Sequence, residues 1–226
     1  MRTRQSHLLH RCGAVRWRGS WRIAVVALSL LVVPGDALAQ GKVQKVSKNL
    51  INRAEVTLKS IKQAEKQLDK VTDRYGKLLA GKSVKARSNE QKKVRDELKK
   101  LENRAREVRE DSQRMESEAS KFFKEWDKGL TQIKDAELRS LSQQSLTDSQ
   151  QRYGQIVAAG RSVADQYDAY VRMLGSQLKY LELDMSDAAI AKLKSSGQDL
   201  RGEAKELQSR VGGLKGEISR YVSAMK

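Results

Sequence analysis

Residues 94–126 read VRDELKKLENRAREVREDSQRMESEASKFFKEW. In this stretch Val94, Leu98, Leu101, Ala105, Val108, Ser112, Met115, Ala119, Phe122 and Trp126 follow one another alternately four and three residues apart. A mean step of 3.5 keeps one narrow seam on the same side of a helix, facing a partner, and underwinds the helix into a left-handed supercoil. The residues between the seam positions are mostly charged, as a solvated helix face requires. The pattern outlasts the three or four heptads that mark a coiled coil.

The same alternation recurs on both sides. Upstream, Ile61, Ala64, Leu68, Val71, Tyr75 and Leu78 carry it, after a stutter in which Val46, Leu50, Ala54 and Leu58 step by four. Downstream it runs through Leu146, Gln150, Tyr153, Val157, Gly160, Ala164, Tyr167, Val171, Leu174, Leu178 and Leu181. A last seam is Leu193, Gly197, Leu200, Ala204, Leu207, Val211, Leu214, Ile218, Tyr221 and Met225. These runs predict an all-α chain, an elongated antiparallel bundle of four long helices over about 43–80, 89–133, 144–183 and 187–225. Gly81 reads as a helix stop, Ser88 with Gln91 as a capping box, and Ser186 as the cap of the last helix. The pattern lapses between Ile133 and Leu146, at Asp135, Ser140 and Ser142. That lapse predicts a third turn; the alternative is a helix running through it. Small residues on the seams, Ser112, Gly160 and Gly197 among them, predict close helix approach, little buried area and modest stability.

The chain has 226 residues with 45 basic and 28 acidic side chains, a formal charge of +17. Its first part reads as a secretory signal. Residues 1–22 are basic, 23–33 (IAVVALSLLVV) are apolar but for Ser29, Pro34-Gly35 breaks the run, and Ala37 and Ala39 precede Gln40. Basic, apolar, small-x-small is the order of a signal peptide cleaved after Ala39. An uncleaved anchor is the alternative. Eleven residues rise only ~16 Å as a helix, about half a bilayer core. The expected domains are therefore a signal at 1–39 and a helical domain at 40–226, exported and most simply periplasmic, with no transmembrane helix after cleavage. Residues 1–39 contain six arginines, one aspartate, the only Cys (Cys12), both His (His7, His10) and the only Pro (Pro34). The remainder has 39 basic and 27 acidic groups, net +12. With neither thiol nor imidazole, it has no disulfide, no Cys or His metal site and no Cys- or His-based catalysis.

Several motifs invite a chemical reading. Gly76 to Ser83 (GKLLAGKS) matches the G-x-x-x-x-G-K-S phosphate loop letter for letter. That chemistry needs a strand before the loop and a helix after it, whereas Gly76 lies inside a heptad run. The string reads as a helix end, and a P-loop ATPase or DNA-acting protein ranks last among the functions weighed. Glu125 beside Trp126 is the carboxylate to inspect for a raised pKa. Glu90 with Glu97, and Asp111 with Glu118, have helical spacing but lack the Glu-x-x-His motifs of a di-metal bundle. Tyr167 reads as seam and Tyr170 as its edge, with ligand stacking as the alternative. No cofactor, metal or catalytic residue is expected.

Charge is concentrated early. Residues 42–90 carry 13 basic and 5 acidic groups. Lys59, Lys62, Lys66 and Lys70 lie within about three turns on one helix face, and are the candidate contacts to a polyanion. Tyr75 is the only aromatic residue in 40–121, so the interleaved aromatics of single-strand nucleic-acid binders are missing. Anionic lipid, lipopolysaccharide or a cell-wall polymer fits better than nucleic acid.

The segments Phe122-x-x-Glu125-Trp126, Leu138-Arg139-Ser140-x-Ser142, Arg152-Tyr153, Gln177-x-x-Tyr180-Leu181 and Ala188-x-Ile190-x-x-Leu193 resemble a family of uncharacterised bacterial secreted coiled-coil proteins catalogued as a domain of unknown function. The resemblance is strongest over 122–193. It implies a helical fold and an exported location, and it carries no activity or catalytic residue. The expected function is a non-enzymatic envelope protein, a spacer, adaptor or assembly partner that meets a protein partner or itself through its seams. The alternative is a polyanion-binding module using its basic first helix.

Overall fold

The computed structural model describes residues 37–195 and 200–226. Among them are five helices and no strand: α1 (Ala37–Ala80), α2 (Val84–Leu130), α3 (Ala136–Leu183), α4 (Asp187–Ser195) and α5 (Leu200–Met225). At 1.5 Å per residue α1, α2 and α3 are each roughly 65–70 Å long. They form three legs of a bundle, and α4 and α5 together make the fourth. Gln67 on α1 meets Glu97 on α2, Tyr167 on α3 meets Leu101 on α2, Ser149 on α3 meets Tyr221 on α5, and Glu65 on α1 meets Lys215 on α5. With the other contacts these place each leg antiparallel to its neighbours. α1 and α3 are diagonal and parallel, joined across the core by Thr72 with Tyr170 and by Tyr75 with Gln177.

The seams lie in the core. Leu50, Ala54, Ile61, Leu68, Val71, Tyr75 and Leu78 are buried on α1, and Val94, Leu98, Leu101, Met115, Ala119 and Phe122 on α2. α5 buries Leu200, Ala204, Leu207, Val211, Leu214, Ile218 and Tyr221. α3 departs from the heptad reading. Gln150 is exposed, while Ile156, Tyr170 and Gln177 are buried beside Tyr153, Tyr167, Leu174 and Leu178. A leg touching two neighbours buries a stripe wider than a two-stranded seam.

Several boundaries move. α1 starts at Ala37 rather than 43, so helix runs through the expected cleavage site. α2 starts at Val84 rather than 89, because Ser83 is its N-cap, accepting the Ala86 amide at 3.2 Å. Ser88 therefore lies within α2, and Gln91 donates to the Leu178 carbonyl at 2.9 Å rather than closing a capping box. The third turn exists but at 131–135, and the helix through it is not formed. Asp135 caps α3 by accepting the Leu138 amide at 2.9 Å, so α3 begins at Ala136 rather than 144. Ser140 and Ser142 lie within its first turns. The last leg consists of α4 and α5, with Gly197 outside the described residues. Ser186 caps α4 as expected, accepting the Ala189 amide at 3.1 Å. Gly81 does follow the last residue of α1, but its backbone is not left-handed. A Cβ there would lie 2.8 Å from Arg87 Cγ and 3.3 Å from the Leu78 carbonyl oxygen, so close approach requires the glycine.

That approach serves a buried cation. Arg87 Nε donates to the Gly81 carbonyl at 2.7 Å and Nη1 to the Met185 carbonyl at 3.0 Å, while Nη2 reaches Asp187. One guanidinium thus ties the α1–α2 turn to the α3–α4 turn. At the opposite end Phe122, Phe123, Trp126, Tyr153 and Tyr221 form a chain of ring contacts with centroids 5.4–5.8 Å apart. Among the described residues no helix is long and apolar enough to cross a membrane.

Candidate functional sites: a lysine face and a central cavity

Lys59, Lys62, Lys66 and Lys70 are all exposed on α1, and none forms an ion pair among the described residues. The reason lies in where the neighbouring acids point. Glu55 and Glu65 of α1 pair with Lys226 and Lys215, and Asp69 accepts from Gln208, so these α1 acids turn toward α5. On α2, Glu90, Glu97, Glu107 and Glu118 pair with Lys93, Lys100, Arg104 and Lys121 of their own helix. The acids that could neutralise the lysine row are thus engaged elsewhere, although Lys70 and Lys100 both help to hold Glu97 below its ordinary pKa, after the hydrogen bond from Lys100 itself.

The second feature was not read from the sequence. A cavity of about 280 Å³ occupies the middle of the bundle and is bordered by all four legs. Ala64, Ala105, Ser112, Gly160 and Ala164, all small residues of the seams, line it. Close approach was expected of them. Large side chains on both sides hold the legs apart instead: Tyr167 and Tyr170 above, Phe123 and Tyr153 below. The sequence signal was present, since small residues on facing seams fall at one height once the antiparallel register is known.

The other candidates resolve into structural roles. Glu125 accepts from Lys128 at 2.6 Å, and that hydrogen bond holds its carboxyl below the ordinary range, opposite to the shift a general acid needs. Asp111 accepts from Ser60. The Tyr167 hydroxyl donates to the Leu101 carbonyl at 2.7 Å. Tyr170 is no edge residue: it is 2% exposed and its hydroxyl meets Thr72 at 2.8 Å. In the 76–83 string Gly76 is helical, lying under the Arg201 guanidinium, Lys82 is exposed in the turn, and Ser83 caps α2. The strand–loop–helix of a phosphate cradle is not formed there. Ala37, Ala39 and Gln40, the expected cleavage site, lie in the first turn of α1; residues 1–36 of the expected signal lie outside the described residues.

A family model described as Protein of unknown function (DUF2959) matches residues 41–225. The chain belongs to this family. The match extends well beyond the stretch of strongest resemblance, covering the four legs of the bundle. The residues that carry that resemblance sit at the two ends of the fold. Trp126 donates its indole N–H to Ser142 at 3.1 Å, Arg139 donates to the Ile133 carbonyl at 2.9 Å across the α2–α3 turn, and Gln177 receives the Tyr75 hydroxyl at the other end. In this member of DUF2959 they therefore brace the bundle. No curated protein and no solved structure matches the chain.

Proposed function

We propose that this protein is a non-enzymatic helical spacer or adaptor of the cell envelope that docks on a polyanionic surface through the lysine face of α1. The observation that carries this reading is the unpaired row of Lys59, Lys62, Lys66 and Lys70 on a rigid helix. Four ammonium groups on one side of a rod act together on an extended anionic surface. The heptad seams are spent inside the bundle, which favours this route over recruitment of a partner helix through them. Export is supported by the order of charge, apolar run and small residues before Gln40, and by a family match that begins at residue 41.

Exposed contacts of this kind are screened over ~8 Å at physiological ionic strength. Co-sedimentation with anionic liposomes or lipopolysaccharide should be clear at low salt and should fall steeply as salt rises. Reversing Lys59, Lys62, Lys66 and Lys70 to Glu should abolish it while leaving the helical circular dichroism intact. Equal sedimentation of the wild type and the reversed variant at low salt would remove the lysine face from the account.

A further inference from the structure

The central cavity lies apart from the lysine face, and its contents do not depend on the function proposed above. Apart from the half-buried Ser112 hydroxyl, its interior offers a ligand little to hydrogen-bond. The buried Thr57 hydroxyl donates to the Arg53 carbonyl at 2.9 Å, and the buried Tyr167 hydroxyl to the Leu101 carbonyl at 2.7 Å. The space is long and narrow. Its border runs from Thr57 to Leu68 on α1 and from Leu207 to Ile218 on α5, roughly 16 Å of helix axis. Its volume of about 280 Å³ approaches twice the ~150 Å³ that accommodates a benzene ring, which corresponds to on the order of ten carbons. It opens between α2 and α3, where the exposed bordering residues are Arg109, Gln113, Glu116 and Arg161. Arg109 is ion-paired to Asp168. Burial, and after it the charge of Glu116, keeps the nearby Tyr153 hydroxyl protonated. Neither Glu116 nor Arg161 forms an ion pair among the described residues, so the cation left to meet a carboxylate at the mouth is Arg161 on α3, with Glu116 as the acid on α2.

We infer that the bundle binds a medium-chain fatty acid, with the alkyl chain in the cavity and the carboxylate at Arg161. An apolar chain matches a lining whose buried hydroxyls are already satisfied, and the slot between α2 and α3 lets the head group stay in water beside the guanidinium.

Calorimetry of the full chain with octanoate, decanoate, dodecanoate and octadecanoate, each below its micellar concentration, tests this. Affinity should rise about fourfold per methylene until the cavity is full near ten carbons, and then level off. Absence of binding, or a rise that continues undiminished to octadecanoate, overturns the inference; the latter is surface partitioning. Ala164→Leu should fill the space, raise the melting temperature and weaken decanoate at least tenfold. A folded Ala164→Leu protein that binds as wild type places the ligand elsewhere and overturns the site. If that variant melts below wild type, the chain-length series on the unaltered chain decides. Arg161→Glu should weaken decanoate about tenfold and leave decanol unchanged; equal loss or equal retention of both overturns the head-group contact.

Discussion

Arg87 shows how much one side chain can carry. Its side chain is 7% exposed while that of its acidic partner Asp187 is 90% exposed, so the guanidinium is held mainly by the Gly81 and Met185 carbonyls. Truncation leaves those acceptors without a donor and unties two turns. Arg87→Met should cost about 2–4 kcal/mol, whereas Asp187→Asn should cost under about 1 kcal/mol because its carboxylate is solvated. Denaturant titration of the two variants checks the contrast; equal losses would put the weight on the ion pair. Gly212 and Gly213 make the opposite case. Both are exposed and helical in α5, and a Cβ at either meets nothing within 4 Å. Alanine at each should stabilise by about 0.5–1 kcal/mol, raising the melting temperature.

For a helix, the start is decided by which side chain reaches the free amides. Ser83 does so for α2 and Ser88 does not. Ser83→Ala should cost about 1 kcal/mol, and Ser88→Ala should be neutral or slightly stabilising, since alanine is the better interior helix former. Thermal melts of the pair measure this directly, and a larger loss at Ser88 would restore the capping box. Both serines precede apolar periodic residues, so the local pattern allows either start. The choice was made by Gln91, which is drawn into the core to the Leu178 carbonyl, and by Arg87, which needs helical backbone to reach back to Gly81. The turn at 131–135 shows the same limit: the heptad lapse marked the region, while the Asp135 cap and the bond from Trp126 to Ser142 placed the first turns of α3.

Across the whole molecule, the core depends on protonated tyrosines. Burial pushes up the hydroxyls of Tyr75, Tyr153, Tyr167, Tyr170 and Tyr221, the last to about 12. A tyrosine titrates near pH 10 when unfolded. With the folded value raised, the native state holds its protons longer, so this contribution is complete below about pH 10 and is lost as pH rises toward and beyond the folded values. Stability followed by circular dichroism should therefore be flat from neutral pH to about 10 and fall steeply toward 12, with the phenolate absorbance of these five tyrosines appearing together with unfolding. Tyr180, the sixth tyrosine, is only half-buried, so ionisation of more than one tyrosine in a still-folded chain near pH 10 would contradict the burial. Small-angle scattering should give a rod roughly 70 Å long.

The seams of α1, α2 and α5, the antiparallel bundle and the all-α class were legible in the amino-acid sequence because a 3.5-residue period is a local property that survives without knowledge of neighbours. Lys59, Lys62, Lys66 and Lys70 were legible as one face for the same reason. Their lack of ion-pair partners, the wide buried stripe of α3, the seat of Arg87 and the cavity were decided only by tertiary structure. Each depends on what a neighbouring leg presents at the same height: Lys215 taking Glu65 away from the lysines, Thr72 receiving Tyr170, and Ala64, Ala105, Gly160 and Ala164 lining one space between layers of aromatic rings. Register between helices is set by the packing of all four legs at once, and no single run of the chain contains it.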